Sequence, residues 1–245
     1  MQWPLARLTL VIRDILFPPC CAACKVRPFN HSTGRLCHDC LESIRFIESP
    51  VCTVCGHPFH GPEGSDHICG QCIKNPPPFD TARSVFQYHG AVRSLIHKIK
   101  YNEDGHALRV LSSLAKDFVL FDDLKPDLII PVPLHPKRLK KRGFNQSLRL
   151  AGAIFTNIPL GIDILSRTFN TKPQTELSMK ERPGNVRNAF EVTSLLPKGA
   201  KTILLVDDVY TTGATVRACA NTLKKAGARE VHVFTVARTM MVNPK

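Results

Sequence analysis

Apolar residues recur with the spacing of buried strands and of amphipathic helices along most of the chain after residue 79. Strand character covers residues 84–88, 127–132, 201–206 and 231–236, and helical spacing covers residues 91–101, 107–121, 145–155 and 213–226. Strands that alternate with helices predict an α/β domain with a mostly parallel sheet, with its first strand at an edge. Ligands of such sheets bind beyond the carboxyl ends of the strands, so the residues that follow each strand are the first candidates for a site.

The first 78 residues lack this alternation. Residues 1–19 are apolar at helical spacing but are interrupted by Arg7, Arg13 and Asp14, which predicts an amphipathic helix packed on the protein, with a membrane-surface helix as the alternative. No stretch approaches the ~20 uninterrupted apolar residues of a membrane span, and no secretory cleavage site follows, which favours the cytosol. A proline run at residues 74–78 predicts a stiff connector between residues 20–78 and a larger domain at residues 79–245.

Eight cysteines in residues 20–78 form four C-x-x-C pairs, namely Cys21/Cys24, Cys37/Cys40, Cys52/Cys55 and Cys69/Cys72. Two such turns supply four thiolates to one ion, so the spacing predicts a double zinc ribbon with two structural Zn²⁺ ions. A disulfide framework and a redox C-x-x-C are the alternatives, but the first needs an oxidising compartment and the second is normally single. Sequential and interleaved pairing of the four turns both remain open. Four thiolates close the coordination shell, so we assign this part docking or nucleic-acid contact and no chemistry.

The net charge of the chain indicates that the larger domain binds anions. The chain carries 33 Lys and Arg against 20 Asp and Glu, a net charge of +13, and nearly all of the excess lies after residue 79. Such a surface attracts polyanions without choosing between nucleic acid, anionic lipid and phosphorylated substrates. Two basic loops are predicted to bind anions, with a solvated face as the alternative. The first is residues 135–149, with Lys137, Arg138, Lys140, Lys141 and Arg142, and the second is residues 167–187.

The most specific motif follows the strand at residues 201–206. Asp207 and Asp208 stand side by side at its end, where carboxylates suit the paired hydroxyls of a ribose. Residues 211–215 then offer successive backbone N–H groups and three hydroxyls at a helix N-terminus, which makes a cradle for a phosphate monoester. Gly213 lets the backbone approach that phosphate. An aspartate-rich turn before an N-capped helix is the alternative, but a strand, two acids and Thr-Thr-Gly-x-Thr in this order are much rarer.

This motif resembles the signature of the type I phosphoribosyltransferases, and the resemblance implies that the larger domain has their α/β fold, preceded by the small zinc-ribbon domain that the cysteines predict. It implies that Asp207 and Asp208 are the catalytic acids and that they bind the ribose hydroxyls of phosphoribosyl diphosphate. It also implies that Mg²⁺ binds together with this ligand. It assigns the 5′-phosphate to Thr211, Thr212, Gly213, Ala214 and Thr215, and the diphosphate to the loop with Lys137 and Arg138. Two departures matter. Tyr210 replaces an aliphatic residue, and Thr211 replaces the aspartate base of purine-salvage members, which disfavours hypoxanthine or guanine as the acceptor.

The whole layout is similar to the ComF family of competence proteins, which includes ComFC and its GntX-like relatives. The features are Leu16-Phe17-Pro18-Pro19 before a double zinc ribbon, Pro131-Val132-Pro133-Leu134 leading to Lys141-Arg142-Gly143-Phe144-Asn145-Gln146, and the motif around Asp207. The resemblance implies a cytosolic role in natural transformation, with incoming single-stranded DNA, a ComF-type helicase and a recombination mediator as partners. Two hypotheses follow: a Mg²⁺-dependent phosphoribosyltransferase with an unidentified acceptor, or a module that senses phosphoribosyl diphosphate while its basic face holds DNA.

Overall fold

The computed structural model describes residues 20–29, 35–59, 61, 64–116, 124–168 and 189–240. The predicted amino-terminal helix at residues 1–19 and nearly all of the second basic loop lie outside these ranges. Within them, no helix is both long enough and apolar enough to cross a membrane.

The cysteine-rich part, residues 20–78, has little regular structure. Two five-residue helices, α1 (His38–Glu42) and α2 (Gly70–Lys74), begin directly after Cys37 and Cys69. Isolated bridges, such as that between Val51 and Pro58, close the turns around the cysteine pairs. So short a segment buries little apolar surface by itself, and it therefore depends on its metal-binding turns and on the larger domain.

Four parallel strands form the central sheet of the larger domain, in the order β1-β6-β5-β2. They are β1 (Thr81–Gln87), β2 (Leu128–Pro131), β5 (Thr202–Tyr210) and β6 (Glu230–Arg238). A short antiparallel pair, β3 (Leu165–Arg167) and β4 (Phe190–Val192), stands apart from this sheet. The parallel arrangement confirms the predicted α/β class, and β1 lies at an edge as predicted.

Helices cover both faces of the sheet. On one face lie α3 (Gly90–Asn102), α4 (Gly105–Lys116) and α6 (Gln146–Ile154), and on the other lies α7 (Ala214–Lys225). Successive side chains of β5 point to alternate faces of the sheet, so the strand contributes to the core on both faces. Leu204 and Val206 pack with the first group, whereas Ile203 and Leu205 pack with α7.

Two local predictions differ from the structure. The first basic stretch is not one continuous loop, because Pro136–Arg142 form a helix, α5. Pro136 fits a first helical turn, the His135 side chain accepts the Lys137 N–H, and Gly143 ends the helix with a φ of 84°. In addition, β5 runs past its predicted end at residue 206 as far as Tyr210, so the two adjacent acids belong to the strand itself.

The cysteine-rich part covers the free edge of β1. Residues 45–47 exchange backbone hydrogen bonds with Val85 and Gln87 (2.9 and 2.8 Å), and the Ala82 N–H donates to Val54 O (2.7 Å). The turns of the first two cysteine pairs pack with the α3 side of the core, and those of the last two pairs pack with the α7 side. An open strand edge pairs readily with other chains, so this cover protects the sheet.

Candidate functional site

A cavity of about 220 Å³ opens at the carboxyl end of β5, where parallel sheets bind their ligands. The polar and aromatic side chains of its wall are Lys100, Tyr101, Arg138, Arg142, Gln146, Arg167, Asp207, Asp208, Tyr210, Thr211 and Thr215. The wall is completed by Gly213, by Val209 and Val216, and by the residues that follow β2, Val132 to Leu134. Both predicted acids and part of the predicted phosphate turn therefore face one space.

Asp207 is anchored within the cavity. Its Oδ1 accepts the Ser147 hydroxyl (2.8 Å) and the Asp208 N–H (2.9 Å). Burial, together with the neighbouring carboxylate of Asp208, raises the pKa of Asp207 to about 7, although the Ser147 hydrogen bond and Lys100 act in the opposite direction. The charge of Asp207 therefore changes near neutral pH.

Asp208 is buried and forms an ion pair with Lys100, which lies near the carboxyl end of α3. Burial lowers the pKa of Lys100, but the two carboxylates outweigh burial and raise that pKa above its ordinary value. Lys100 is thus a fixed positive charge in the wall. It keeps a buried carboxylate compensated where an unpaired charge would be costly.

The turn after the acids allows close approach to the backbone. Gly213 has a φ of 76°, and a Cβ placed on it would collide with the Tyr210 phenol, whose Cζ would be 2.5 Å away. Burial raises the pKa of Tyr210 to about 12, so its ring is a neutral support under the turn. Helix α7 begins at Ala214, and its first N–H groups and the positive end of its dipole therefore lie beside the cavity.

The predicted ligand-binding residues divide into two groups. Those that line the cavity are Arg138, Asp207, Asp208, Thr211, Gly213 and Thr215. Thr212 and Ala214 belong to the same turn but not to the wall, and the Thr212 hydroxyl oxygen accepts the Ala214 N–H (3.4 Å). Lys137 lies exposed on α5, also outside the wall.

Sequence reasoning missed Lys100, Tyr101 and Gln146. A lysine and a tyrosine at the end of an amphipathic helix look like ordinary surface residues, and only the sheet order brings α3 to the end of β5. One signal was available, because Lys100 follows Ile96 by four residues and so stands on the buried face of the helix. Arg167, the first residue of the second basic stretch, also lines the cavity, with its guanidinium 5.4 Å from the Phe190 ring centroid.

The eight paired cysteines form two clusters, in each of which the sulfur atoms lie within 4.8 Å of one another. The first cluster is Cys21, Cys24, Cys37 and Cys40, and the second cluster is Cys52, Cys55, Cys69 and Cys72. This is the sequential pairing of the turns and not the interleaved one. The Sγ atoms of Cys24 and Cys37 are 3.9 Å apart, and those of Cys55 and Cys69 are 3.8 Å apart. A tetrahedron with Zn–S bonds of about 2.3 Å has edges of about 3.8 Å, so two Cys₄ zinc sites fit.

The electrostatics of the second cluster also suit a cation. Burial raises the pKa of Cys52, but backbone N–H groups outweigh burial and lower it to about 6. Two of them, from Cys55 and Cys69, lie 3.4 and 3.3 Å from its Sγ. Burial and the neighbouring sulfurs raise the pKa of Cys72. A divalent cation would offset the repulsion between these sulfurs and stabilise all four as thiolates.

Comparison with known proteins accounts for both parts. The double zinc ribbon domain family matches residues 12–73, and the phosphoribosyl transferase domain family matches residues 141–241. The DNA utilization protein YhgH of Escherichia coli (strain K12) is 32% identical over 231 residues, which are 91% of this chain and 98% of that protein. Competence protein F of Haemophilus influenzae is 33% identical over 211 residues, which are 83% and 90% of the two chains. This chain belongs to the ComF family.

A third relative extends the match. Competence protein ComFC of Bacillus subtilis is 27% identical over 218 residues, which are 84% of this ComF-family protein and 85% of the relative. The resemblance inferred from the sequence motifs is therefore confirmed, with both the zinc ribbon and the phosphoribosyltransferase fold. The acids and the phosphate turn lie inside the matched domain, whereas Lys100 and Arg138 lie before its first matched residue.

Proposed function

We propose that this ComF-family protein binds phosphoribosyl diphosphate and Mg²⁺ in the cavity at the end of β5. The observation that carries the proposal is the shared wall, in which two adjacent carboxylates and a glycine-containing turn at a helix N-terminus face the same 220 Å³ space. A sugar phosphate needs both features. Its hydroxyls donate to carboxylates, and its phosphate accepts from N–H and hydroxyl groups.

In this proposal each part of the ligand has its own partners. Asp207 and Asp208 accept the ribose hydroxyls, and the turn from Thr211 to Thr215 holds the 5′-phosphate. The diphosphate lies against the arginines of the wall, Arg138, Arg142 and Arg167, because guanidinium groups pair with phosphate oxygens in a two-pronged geometry. Lys100, which forms an ion pair with Asp208, then also faces the negative charge of the ligand.

Mg²⁺ prefers hard oxygen ligands, and Asp207 and Asp208 are the carboxylates of the wall that would hold it beside the ligand. When bound, the ion neutralises part of the charge that develops on a departing diphosphate. The arginines of α5 and β3 stabilise the remaining charge and fix the orientation of the diphosphate.

Ribosyl transfer is the activity that this wall fits, and sensing of the metabolite is the second candidate. Transfer breaks the bond from the anomeric carbon to the diphosphate, forms a bond to the acceptor, and leaves the acceptor's proton to a base. One observation favours sensing: in the described part of the chain the wall contains no histidine or glutamate, its two aspartates are assigned to the ribose, and Thr211 cannot act as a base near neutral pH.

Calorimetric titration with phosphoribosyl diphosphate, with and without Mg²⁺, tests the binding site. We expect Mg²⁺ to strengthen binding, and we expect the double variant Asp207→Asn/Asp208→Asn to bind at least about tenfold more weakly, because charge-assisted hydrogen bonds are lost. Zinc content should be unchanged. Asp163→Asn, an exposed carboxylate outside the wall, is the matched control. Wild-type affinity in the double variant would remove both acids from the site.

Pyrophosphate release separates transfer from sensing. The wild-type protein is incubated with phosphoribosyl diphosphate, Mg²⁺ and candidate acceptors, which include nucleobases and single-stranded DNA. Acceptor-dependent release establishes transfer. Tight binding of phosphoribosyl diphosphate without release establishes the sensing module.

We also propose that the protein binds single-stranded DNA in the cytosol, in keeping with its relatives' names. The supporting observation is a stripe of exposed residues four apart on α3, namely Arg93, His97 and Tyr101. The His97 and Tyr101 ring centroids are 4.5 Å apart, and the Arg142 guanidinium lies 5.6 Å from the Tyr101 ring centroid. Rings interleaved with cations suit stacked bases and phosphates. A ComF-type helicase and a recombination mediator are the partners that the family implies.

A further inference from the structure

Arg238, the last residue of β6, joins the second cluster to the cavity. It is 4% exposed, although an arginine is seldom buried so completely. Its Nη1 donates to the carbonyl oxygen of Cys55 (2.6 Å), and its guanidinium carbon lies 3.9 Å from the centroid of the Tyr210 ring. Tyr210 and Arg238 are register partners on neighbouring strands, so both side chains lie on the same face of the sheet.

The Tyr210 ring carries this contact to the phosphate turn. The phenol fills the space under Gly213, where the backbone approaches it so closely that no Cβ fits. The Tyr210 carbonyl oxygen also accepts the N–H of Thr239 (3.0 Å), the residue directly after Arg238. The position of Gly213 therefore depends on the ring, and the position of the ring depends on Arg238.

Two further contacts make the connection stiff on the side of the second cluster. The turn at Gly56, directly after Cys55, packs so tightly on β1 that a Cβ would lie 2.5 Å from the Ala82 carbonyl oxygen. Arg217 on α7 donates to the carbonyl oxygens of Asn75 and Pro76 (2.6 and 3.2 Å), in the connector that follows Cys72. The same helix supplies its N-terminus to the phosphate turn.

The charge of the second cluster also favours its contact with Arg238. Four thiolates around one Zn²⁺ carry a net charge of about −2, of which a buried guanidinium beside the cluster compensates about half. Lysine cannot replace arginine fully here, because only the planar guanidinium both stacks on a ring and donates along its edge. The first cluster lies against the opposite face of the core and contacts α3, where Lys98 Nζ donates to the carbonyl oxygens of Ala22 and Ala23 (2.6 Å each).

We infer that the second cluster is a structural part of the 5′-phosphate site, with Arg238 and Tyr210 as the positioning residues that couple metal binding to phosphate binding. This inference rests on the proposed phosphoribosyl-diphosphate function. When zinc occupies the second cluster, it fixes the position of the Cys55 carbonyl group. That carbonyl and the negative charge of the cluster fix the Arg238 guanidinium, which in turn keeps the Tyr210 ring under Gly213. Coupling between two sites is reciprocal, so a ligand phosphate in the turn slows the loss of metal from the second cluster.

The test compares Arg238→Met with wild type, using ribose 5-phosphate as the probe of the turn and inorganic diphosphate as the probe of the arginines. We expect ribose 5-phosphate to bind about 5- to 10-fold more weakly to Arg238→Met, with diphosphate binding unchanged. Zinc stoichiometry by native mass spectrometry shows whether the variant keeps both ions. Arg238→Lys should be intermediate, Tyr210→Phe should bind like wild type, and Arg229→Met, an exposed arginine just before β6, is the matched control.

A second readout is the rate of zinc transfer to a chromophoric chelator. In wild type, ribose 5-phosphate should slow the release of one zinc ion per chain, and this effect should disappear in Arg238→Met. If a folded Arg238→Met with two zinc ions binds ribose 5-phosphate as wild type does, the inference is wrong. If wild type itself binds neither ribose 5-phosphate nor phosphoribosyl diphosphate, the proposed function fails instead.

Discussion

The charged side chains of the cavity wall are three arginines and an interacting group formed by Asp207, Asp208 and Lys100. Lys100 forms its ion pair with Asp208, so the half-buried Asp207 beside it bears the cost of a second negative charge, and its pKa rises to about 7. Such a cost is typical of a binding site, because a group that a ligand will compensate is left uncompensated in the free protein. The ribose hydroxyls and Mg²⁺ of the proposed ligand are suited to supply that compensation.

This cost predicts a pH-dependent stability. The pKa of Asp207 is about 7 in the folded protein and 3.8 in the unfolded chain. Between these two pH values the folded state keeps a proton that the unfolded state has released. The free energy of unfolding therefore falls as pH rises through this window, and the loss is complete above pH ~7. Asp207→Asn should therefore raise the melting temperature relative to wild type by more at pH 8 than at pH 5, with a difference of about 2–4 °C.

Thermal unfolding followed by circular dichroism at the two pH values provides the measurement. Asp163→Asn, which is exposed, should shift the melting temperature equally at both. An equal gain for Asp207→Asn at pH 5 and pH 8 would show that Asp207 is ionised throughout, contrary to its half-buried position beside Asp208.

At the scale of elements, α5 sorts a run of basic residues into two sets. Arg138 and Arg142, one turn apart, face the cavity, whereas Lys137, Lys140 and Lys141 are exposed. Composition alone treats these five residues as one basic loop. The helix separates arginines suited to the diphosphate from lysines suited to a polyanion outside the cavity.

This division predicts two kinds of effect on single-stranded DNA binding. Lys137→Ala/Lys140→Ala/Lys141→Ala should weaken binding of a fluorescent oligothymidine and flatten its salt dependence, because phosphate contacts release counterions. Tyr101→Ala should weaken binding about 5- to 10-fold with little change in the salt slope, because it removes a stacking face. Fluorescence anisotropy over a series of salt concentrations distinguishes the two.

Tyr101→Phe is the matched control, since it keeps the ring and should keep the affinity. Unchanged binding in both the triple variant and Tyr101→Ala would place the DNA contact elsewhere on the molecule. Unchanged binding in Tyr101→Ala alone would restrict the contact to the basic residues of α5.

The elements that sequence reasoning predicted are those with strong apolar periodicity, such as α3, α7 and the central strands. It missed α5 because Leu139 is the only apolar residue within it besides its first proline, so no buried face appears in the pattern. It ended β5 too early because two aspartates look like a turn. Strand pairing with β6 continues through them nevertheless, with Asp207 opposite Thr235.

The residues of the candidate site also divide into those that the sequence predicted and those that it missed. The acids and the phosphate turn are contiguous, so their order alone predicted that they would lie together. Lys100 and Tyr101 belong to α3, and Arg238 belongs to β6. The strand order β1-β6-β5-β2 brings these distant segments together, and a single sequence carries no direct signal of that order.

At the scale of the whole molecule, the cysteine-rich part and the larger domain form one folded unit. Residues 45–47 and Val54 pair with the outer edge of β1, and Cys55 accepts a hydrogen bond from Arg238. A fragment that starts at Phe79 should therefore unfold at a lower temperature than the full chain. It should also form larger species on size-exclusion chromatography with light scattering, because its edge strand is open.

A fragment that starts at Cys20 is the control, since it retains both clusters and the cover of β1. It should unfold at a higher temperature than the Phe79 fragment, and it should not form the larger species. If the Phe79 fragment were as stable and as small as the full chain, the cysteine-rich part would be a separate module, and its contacts with β1 and Arg238 would contribute little.

The position of β6 between β1 and β5 has a consequence for biosynthesis. On the ribosome, β1 emerges well before its inner neighbour, and the two cysteine clusters emerge earlier still. The nascent edge strand can be covered on its outer side by the metal-binding turns, but its inner side stays open until β6 is translated. Arg238 arrives with β6, so the contacts that support the cavity at the end of β5 are completed only after that strand has emerged.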